Sequence, residues 1–146
     1  MIDDDKIKNV VKNLIDTFLK AGEVSIKLRN EGLNKEIKSD KTPVSNGDLE
    51  VNKIITKKIL ELTPDIPIVS EETSHNKSKN NLKNFWLVDP IDGTYDYIND
   101  GDEFTINAGL IINGKAKAGL INVPAKKRMF KVLEKGNHMK LLLTKL

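Results

Sequence analysis

The feature that most constrains the fold is a change of hydrophobic pattern at Pro64. Before it, apolar residues recur at spacings of three and four; after it, they come in short runs separated by turn residues. Ile7, Val10, Val11, Leu14, Ile15, Phe18 and Leu19 form one stripe of a helix predicted from residue 4 to about 31. Asp3, Asp4 and Asp5 suit its first turn, where negative charge complements the helix dipole, and Gly32 is its stop. A polar, lysine-rich connector, Asn34 to Lys41, leads through Thr42-Pro43-Val44-Ser45 to a second helix that starts near Ser45 or Asn46. Leu49, Ile55, Ile59 and Leu62 are expected on its buried face, and Pro64 ends it.

Past Pro64, Ile66 to Val69 reads as a short strand and residues 74 to 84 as a polar surface loop. Phe85 to Val88 is a fully apolar run, expected to be a strand buried on both faces. Phe104 to Ile112 and Ala116 to Val123 are further strands, and Asn113-Gly114 between them is a tight-hairpin signal. Arg128 to Leu133 supplies one more. Two helices followed by hairpin-linked strands predict an α+β fold, with helices layered on a largely antiparallel sheet.

Composition narrows the functions open to such a fold. The 146 residues fit one ordinary domain, and 38% hydrophobic with 31% charged residues describes a globular chain. Without cysteine there is no disulfide, thiolate zinc site or cysteine nucleophile. The net charge of +3 is almost all scattered lysine, with Arg29 and Arg128 the only arginines and aromatics at 5%. That is no nucleic-acid stripe, although a mild positive field attracts anionic substrates. No apolar run spans a bilayer and the N-terminus lacks a signal-peptide pattern. A cytoplasmic location is the default, with peripheral attachment at the inner face of a membrane left open.

Chemistry concentrates in Asp89-Pro90-Ile91-Asp92-Gly93-Thr94, directly after Phe85-Trp86-Leu87-Val88. Two carboxylates stand three residues apart where a strand ends, which is where side chains reach a surface cleft. Magnesium takes hard oxygen ligands and keeps several waters, so a few carboxylates and a substrate phosphate suffice. Asp89 and Asp92 supply two ligands and the Ile91 carbonyl a third. Gly93 leaves the backbone open to a phosphate, a helix starting at Thr94 would offer N–H groups, and the Thr94 hydroxyl is suited to orienting water. Taken as residue pairs alone, Asp-Pro and Asp-Gly are turn formers, and a plain turn is the simpler reading.

A second acid strengthens the metal reading. Glu71 follows a short apolar strand just as Asp89 does, so neighbouring strands would bring both to one sheet edge, where a divalent site, of one metal or two, is expected. By themselves Glu71 and Glu72 read as a charged loop rim. Ser45-x-x-Asp48 reads as a capping box, a local device, and Lys38 and Lys41 as solvated. His75 and His138 have no partner at metal-ligand spacing. Asp96 to Gly101 fails as an EF-hand loop, with Ile98 at the third place and Asn107 where the bidentate Glu belongs.

With these residues in view, the sequence resembles the inositol monophosphatase superfamily of magnesium-dependent, lithium-sensitive phosphatases. Four segments match in order: Lys38 to Asp48, Ser70-Glu71-Glu72, Trp86 to Thr94 with its D-P-I-D-G-T, and Glu103 to Asn107. Thr63 to Glu72, Gly101 to Asn107 and Gly119 to Ala125 are similar to its CysQ-like branch, the 3'(2'),5'-bisphosphate nucleotidases, which convert adenosine 3',5'-bisphosphate to AMP. The resemblance implies a fold like the N-terminal half of that family, Mg²⁺ as cofactor with inhibition by lithium, and a small phosphorylated substrate. It implies Glu71, Asp89 and the Ile91 carbonyl around a first metal, with Asp89 and Asp92 around a second. It implies Asp92, Gly93 and Thr94 for substrate, and Glu71, Thr94 and Asp48 for activating water. Inositol monophosphate or a sugar phosphate is the alternative substrate, and a non-catalytic remnant that retains weak metal binding is the alternative to an enzyme.

The resemblance stops near Leu133. The expected division is a metal-binding phosphatase domain over 1–135 and a tail over 136–146 outside the family pattern. The aspartate of a W-D-x-A motif that completes the family's second metal site has no counterpart here, since Trp86 is the only tryptophan. A truncated chain would expose apolar surface and a sheet edge, favouring self-association or a complementing C-terminal fragment.

Overall fold

A computed structural model describes residues 2–72 and 82–144. His75, and most of the loop expected over 74–84, lie outside the described residues. Helix α1 spans Asp4–Glu31 and is capped by the Asp3 carboxylate, which accepts from the Lys6 N–H at 2.8 Å. Its stripe of Ile7, Val10, Val11, Leu14 and Phe18 is buried. The lysine-rich connector is more ordered than its composition suggests. Strand β1, Lys35–Ile37, folds back antiparallel on β2, Pro43–Ser45.

Helix α2 spans Asn46–Leu62 and differs from expectation on its buried face. Leu49 is 50% exposed. The inward stripe is Asp48, Val51, Asn52, Ile55 and Ile59. The capping box turns Asp48 inward, and Leu49, one residue or about 100° further round, then faces out. A polar side chain has taken the position that periodicity gave to leucine.

The strands form one six-stranded sheet in the order β3-β4-β5-β6-β7-β8. β3 (Ile68–Ser70) runs parallel to β4 (Phe85–Asp92). β5 (Thr105–Ile112), β6 (Lys115–Val123), β7 (Arg128–Lys135) and β8 (His138–Thr144) follow as antiparallel neighbours. Asn113 and Gly114 both take positive φ, 53° and 75°, the requirement of a two-residue hairpin turn. The architecture is α+β, with α1 and α2 packed on one sheet face around Phe18, Leu14, Ile55, Trp86, Leu110 and Leu120.

Two strand expectations change. Phe85–Val88 is not buried on both faces, because Leu87 is 40% exposed. The helices cover one face only, so β4 alternates, and it continues to Asp92. β8 adds a strand to the expected set, paired with β7 from Lys135↔His138 to Met129↔Thr144. Its consecutive leucines gave no period-two signal. The face away from the helices carries a cross-strand row of Leu87, Gly109, Gly119, Val132 and Leu141. Leu141 and Leu143 are exposed there. Among the described residues, no helix is long and apolar enough to cross a membrane.

The fully buried Trp86 depends on one polar contact. Its indole N–H donates to Thr63 Oγ1 at 3.0 Å, and Thr63 donates on to the Ile59 carbonyl at 2.9 Å. Thr63→Val leaves a buried donor unsatisfied and is expected to lower stability by about 1–3 kcal/mol. Urea unfolding followed by Trp86 fluorescence measures it.

Candidate metal and phosphate site

The site forms where β3 and β4, as parallel neighbours, end at the same level. Ser70 pairs with Val88, so Glu71 and Asp89 emerge side by side, and the Glu71 N–H donates to the Val88 carbonyl at 3.1 Å. The shared edge expected from the two apolar runs is therefore present. β4 is irregular between Asp89, opposite Asn107, and Asp92, opposite Thr105. That irregularity carries Pro90 and Ile91 inward as buried residues and leaves Asp92 exposed. Gly93 follows in a left-handed conformation, φ 83° and ψ 45°, and starts the short helix α3, Thr94–Ile98. A side chain is strained at that φ, which accounts for glycine there.

Asp48 reaches this turn from α2 and is fully buried. One oxygen, Oδ2, accepts from the Ser45 N–H at 2.9 Å and from the Ser45 hydroxyl at 2.6 Å. The other, Oδ1, accepts the Thr94 hydroxyl at 2.9 Å. The Ile91 carbonyl stands 3.3 Å from that same hydroxyl. The capping box read from sequence and a contact to Thr94 thus share a single carboxylate. Asn52, one turn on from Asp48, accepts the Ser70 hydroxyl, and that hydroxyl also accepts from the Glu72 N–H at 3.3 Å. One helix face therefore braces both the Thr94 turn and the Glu71–Glu72 turn.

Glu72 and Lys38 are the residues that sequence reasoning placed wrongly. Neither is simply solvated. The Glu72 side chain is only 5% exposed, and its carboxylate lies 3.6 Å from Lys38 Nζ. Burial raises the Glu72 pKa, Lys38 opposes the rise, and Asp48 and Glu71 add to it. The available signal was a doubled acid beside a candidate ligand, with a lysine in the preceding motif.

Asp89 is the most strained charge of the group. Its pKa is pushed up from 3.8 to about 6, first by burial, then by Asp92, Glu71, Glu72 and Asp48. Gathering carboxylates around a half-buried acid costs stability unless positive charge compensates it. Among the described residues, no three Asp, Glu or His side chains stand close enough to hold one ion as they are placed. The donor set still suits a hard divalent cation: carboxylate oxygens, a carbonyl at Ile91 and mutual repulsion that a cation relieves.

The remaining candidates are structural. The Asp96 carboxylate accepts the Glu103 N–H at 2.9 Å, and Gly101 packs directly on it, so this loop closes on itself rather than around an ion. His138 is exposed on β8.

Comparison with known proteins agrees with this geometry. The chain matches the Inositol monophosphatase family over residues 6–144 and belongs to it. It is 37% identical over 127 residues to a 3'(2'),5'-bisphosphate nucleotidase CysQ of Buchnera aphidicola, covering 82% of this chain and 48% of that protein. Among solved structures it is similar to CysQ from Bacteroides thetaiotaomicron, with TM-score 0.66 and 27% identity, covering 94% of this chain and 49% of that one. Staphylococcal inositol monophosphatase-1 shares the fold at TM-score 0.78 and 19% identity, covering 97% and 52%. The chain spans about half the length of the relatives it matches.

The raised Asp89 pKa carries a stability prediction. The folded chain binds that proton more tightly than the unfolded chain. Asp89 therefore contributes most favourably below pH 4, and that contribution is lost as pH rises through about 6. Asp89→Asn removes the charge, so in chelator at pH 7 it is expected to stabilise the fold by about 1 kcal/mol after discounting for solvent. At pH 4 the difference should nearly vanish. Urea unfolding at both pH values checks the sign.

Proposed function

We propose that this chain carries the metal and phosphate centre of a magnesium-dependent phosphomonoester hydrolase of the 3'(2'),5'-bisphosphate nucleotidase type. It would act on adenosine 3',5'-bisphosphate and leave AMP. The observation that carries this reading is the crowding of Asp92, Glu71, Glu72 and Asp48 around Asp89, beside a Thr94 hydroxyl held by Asp48. Glu71, Asp89, Asp92 and the Ile91 carbonyl would hold magnesium. When bound, magnesium supplies charge neutralisation and Lewis acidity at the phosphate oxygens.

The chain's own residues do the rest. Gly93, without a side chain, lets the phosphate approach the backbone of residues 93 and 94, while Asp92 faces the leaving group. Because the Thr94 hydroxyl donates its proton to Asp48, its lone pairs are left to accept from a water. Asp48 cannot turn away, since its other oxygen is held twice by Ser45. Glu71, exposed at the strand end, takes the water proton. The water oxygen bonds to phosphorus as the bond to the 3'-oxygen breaks, and the leaving 3'-oxygen takes a proton from solvent to become the product hydroxyl.

The relatives are about twice as long, and we infer that a complementing segment acts with these residues. The open apolar sheet face with Leu87, Leu141 and Leu143 suits a complementing C-terminal segment that brings a further carboxylate to Asp92. Self-association through the same face is the alternative.

Phosphate release tests the function. Adenosine 3',5'-bisphosphate should be hydrolysed in preference to inositol 1-phosphate and fructose 1,6-bisphosphate, with the chain alone or with the complementing segment added. Release should require Mg²⁺, fall with lithium, and drop at least about 100-fold in Asp89→Asn. Preference for inositol 1-phosphate would reassign the substrate. Magnesium binding without any turnover would leave the non-catalytic reading.

A further inference from the structure

Helix α3 has five residues, too few to be stable by itself, so its position depends on what packs against it. Its one buried side chain is Tyr97. The Tyr97 hydroxyl donates to the Ser25 carbonyl of α1 at 2.7 Å. The Tyr97 and Phe104 rings lie 4.8 Å apart, tilted by 59°. The Arg29 guanidinium sits over both, 5.6 Å from the Tyr97 ring centre and 5.0 Å from that of Phe104. Arg29 Nη1 also donates to the Tyr97 carbonyl at 3.3 Å and the Gly101 carbonyl at 2.6 Å, tying down the far end of α3.

The remaining side of the ring meets Gly47, in the first turn of α2. Any side chain at Gly47 would overlap the ring edge and its hydroxyl. Gly47 is the residue before Asp48, and Tyr97 lies three residues after Thr94. The ring therefore spans the two elements whose side chains meet in the Thr94–Asp48 hydrogen bond. A hydrogen bond between separate elements is only as well defined as their spacing, and an aromatic ring with two rotatable angles is a stiff spacer.

We propose that Tyr97 is a positioning residue: wedged between Gly47 and Ser25 under Arg29, it sets the spacing of α2 and α3 that keeps the Thr94 hydroxyl on Asp48. It rests on the roles given above to Thr94 and Asp48 but concerns their geometry, which is measurable without turnover.

Three crystal structures test it. Tyr97→Leu removes the wedge, Gly47→Ala overfills the contact, and the double variant puts a small group back into the space the ring vacated. Each single variant is expected to move Thr94 Oγ1 beyond about 3.5 Å from Asp48 Oδ1, and the double variant to restore a hydrogen bond near 2.9 Å. Single variants that keep the bond near 2.9 Å would overturn the proposal, as would a double variant that separates the pair further than either single one. Should Gly47→Ala fail to fold, Tyr97→Leu alone decides on the same distance. In phosphate release, kcat should fall on the order of 100-fold in the single variants with KM little changed, and recover in the double variant. A wild type that releases no phosphate, alone or with the complementing segment added, while the distances behave as expected would reject the hydrolase reading and leave the wedge standing.

Discussion

The site depends on the buried carboxylate of Asp48. One oxygen closes the first turn of α2 through Ser45, and the other takes the Thr94 hydroxyl from the turn after β4. A buried carboxylate is costly unless its lone pairs are filled, and here donors from a strand end, a cap and a short helix fill them. The same contacts that satisfy Asp48 locate α2 against the sheet edge. Asn52 then follows one turn later, facing Ser70 at the root of the Glu71–Glu72 turn. Local capping, helix placement and the layout of the acids are one set of hydrogen bonds.

What this layout gathers is negative charge with little to balance it. Lys38 faces Glu72, but among the described residues no lysine or arginine pairs with Asp89, whose pKa rises to about 6 among four other carboxylates. An arrangement of this kind lowers the stability of the free fold, and under the proposed function a bound cation would relieve the repulsion around Asp89. The sheet face away from the helices leaves Leu87, Leu141 and Leu143 exposed, the surface to which the proposed complementing segment is assigned.

Much of this was legible in the sequence. The change of pattern at Pro64, the acids at the start of α1, the Ser45 cap and the Asn113-Gly114 turn each rest on local rules, and α1, α2 and the central hairpin follow them. The pairing of Glu71 with Asp89 was also readable, because two short apolar runs ending in acids imply neighbouring strands. What escaped depends on tertiary contact. Leu49 faces out because a cap fixes the helix rotation, Leu87 is exposed because helices cover one sheet face only, and Glu72 turns in to meet Lys38. β8 was missed because its consecutive leucines carry no alternation and its support is the neighbouring strand. Tyr97 gave no signal, since Gly47, Ser25 and Arg29 converge on it from distant parts of the chain.

The most direct test of the central claim, that the acids around Asp89 hold a divalent cation, is calorimetric titration of Mg²⁺ into the chain at pH 7. Saturable binding is expected in the wild type, strongly weakened in Asp89→Asn and retained in a variant that removes a remote acid such as Glu61. Absence of binding, or binding that Asp89→Asn leaves unchanged, would contradict it.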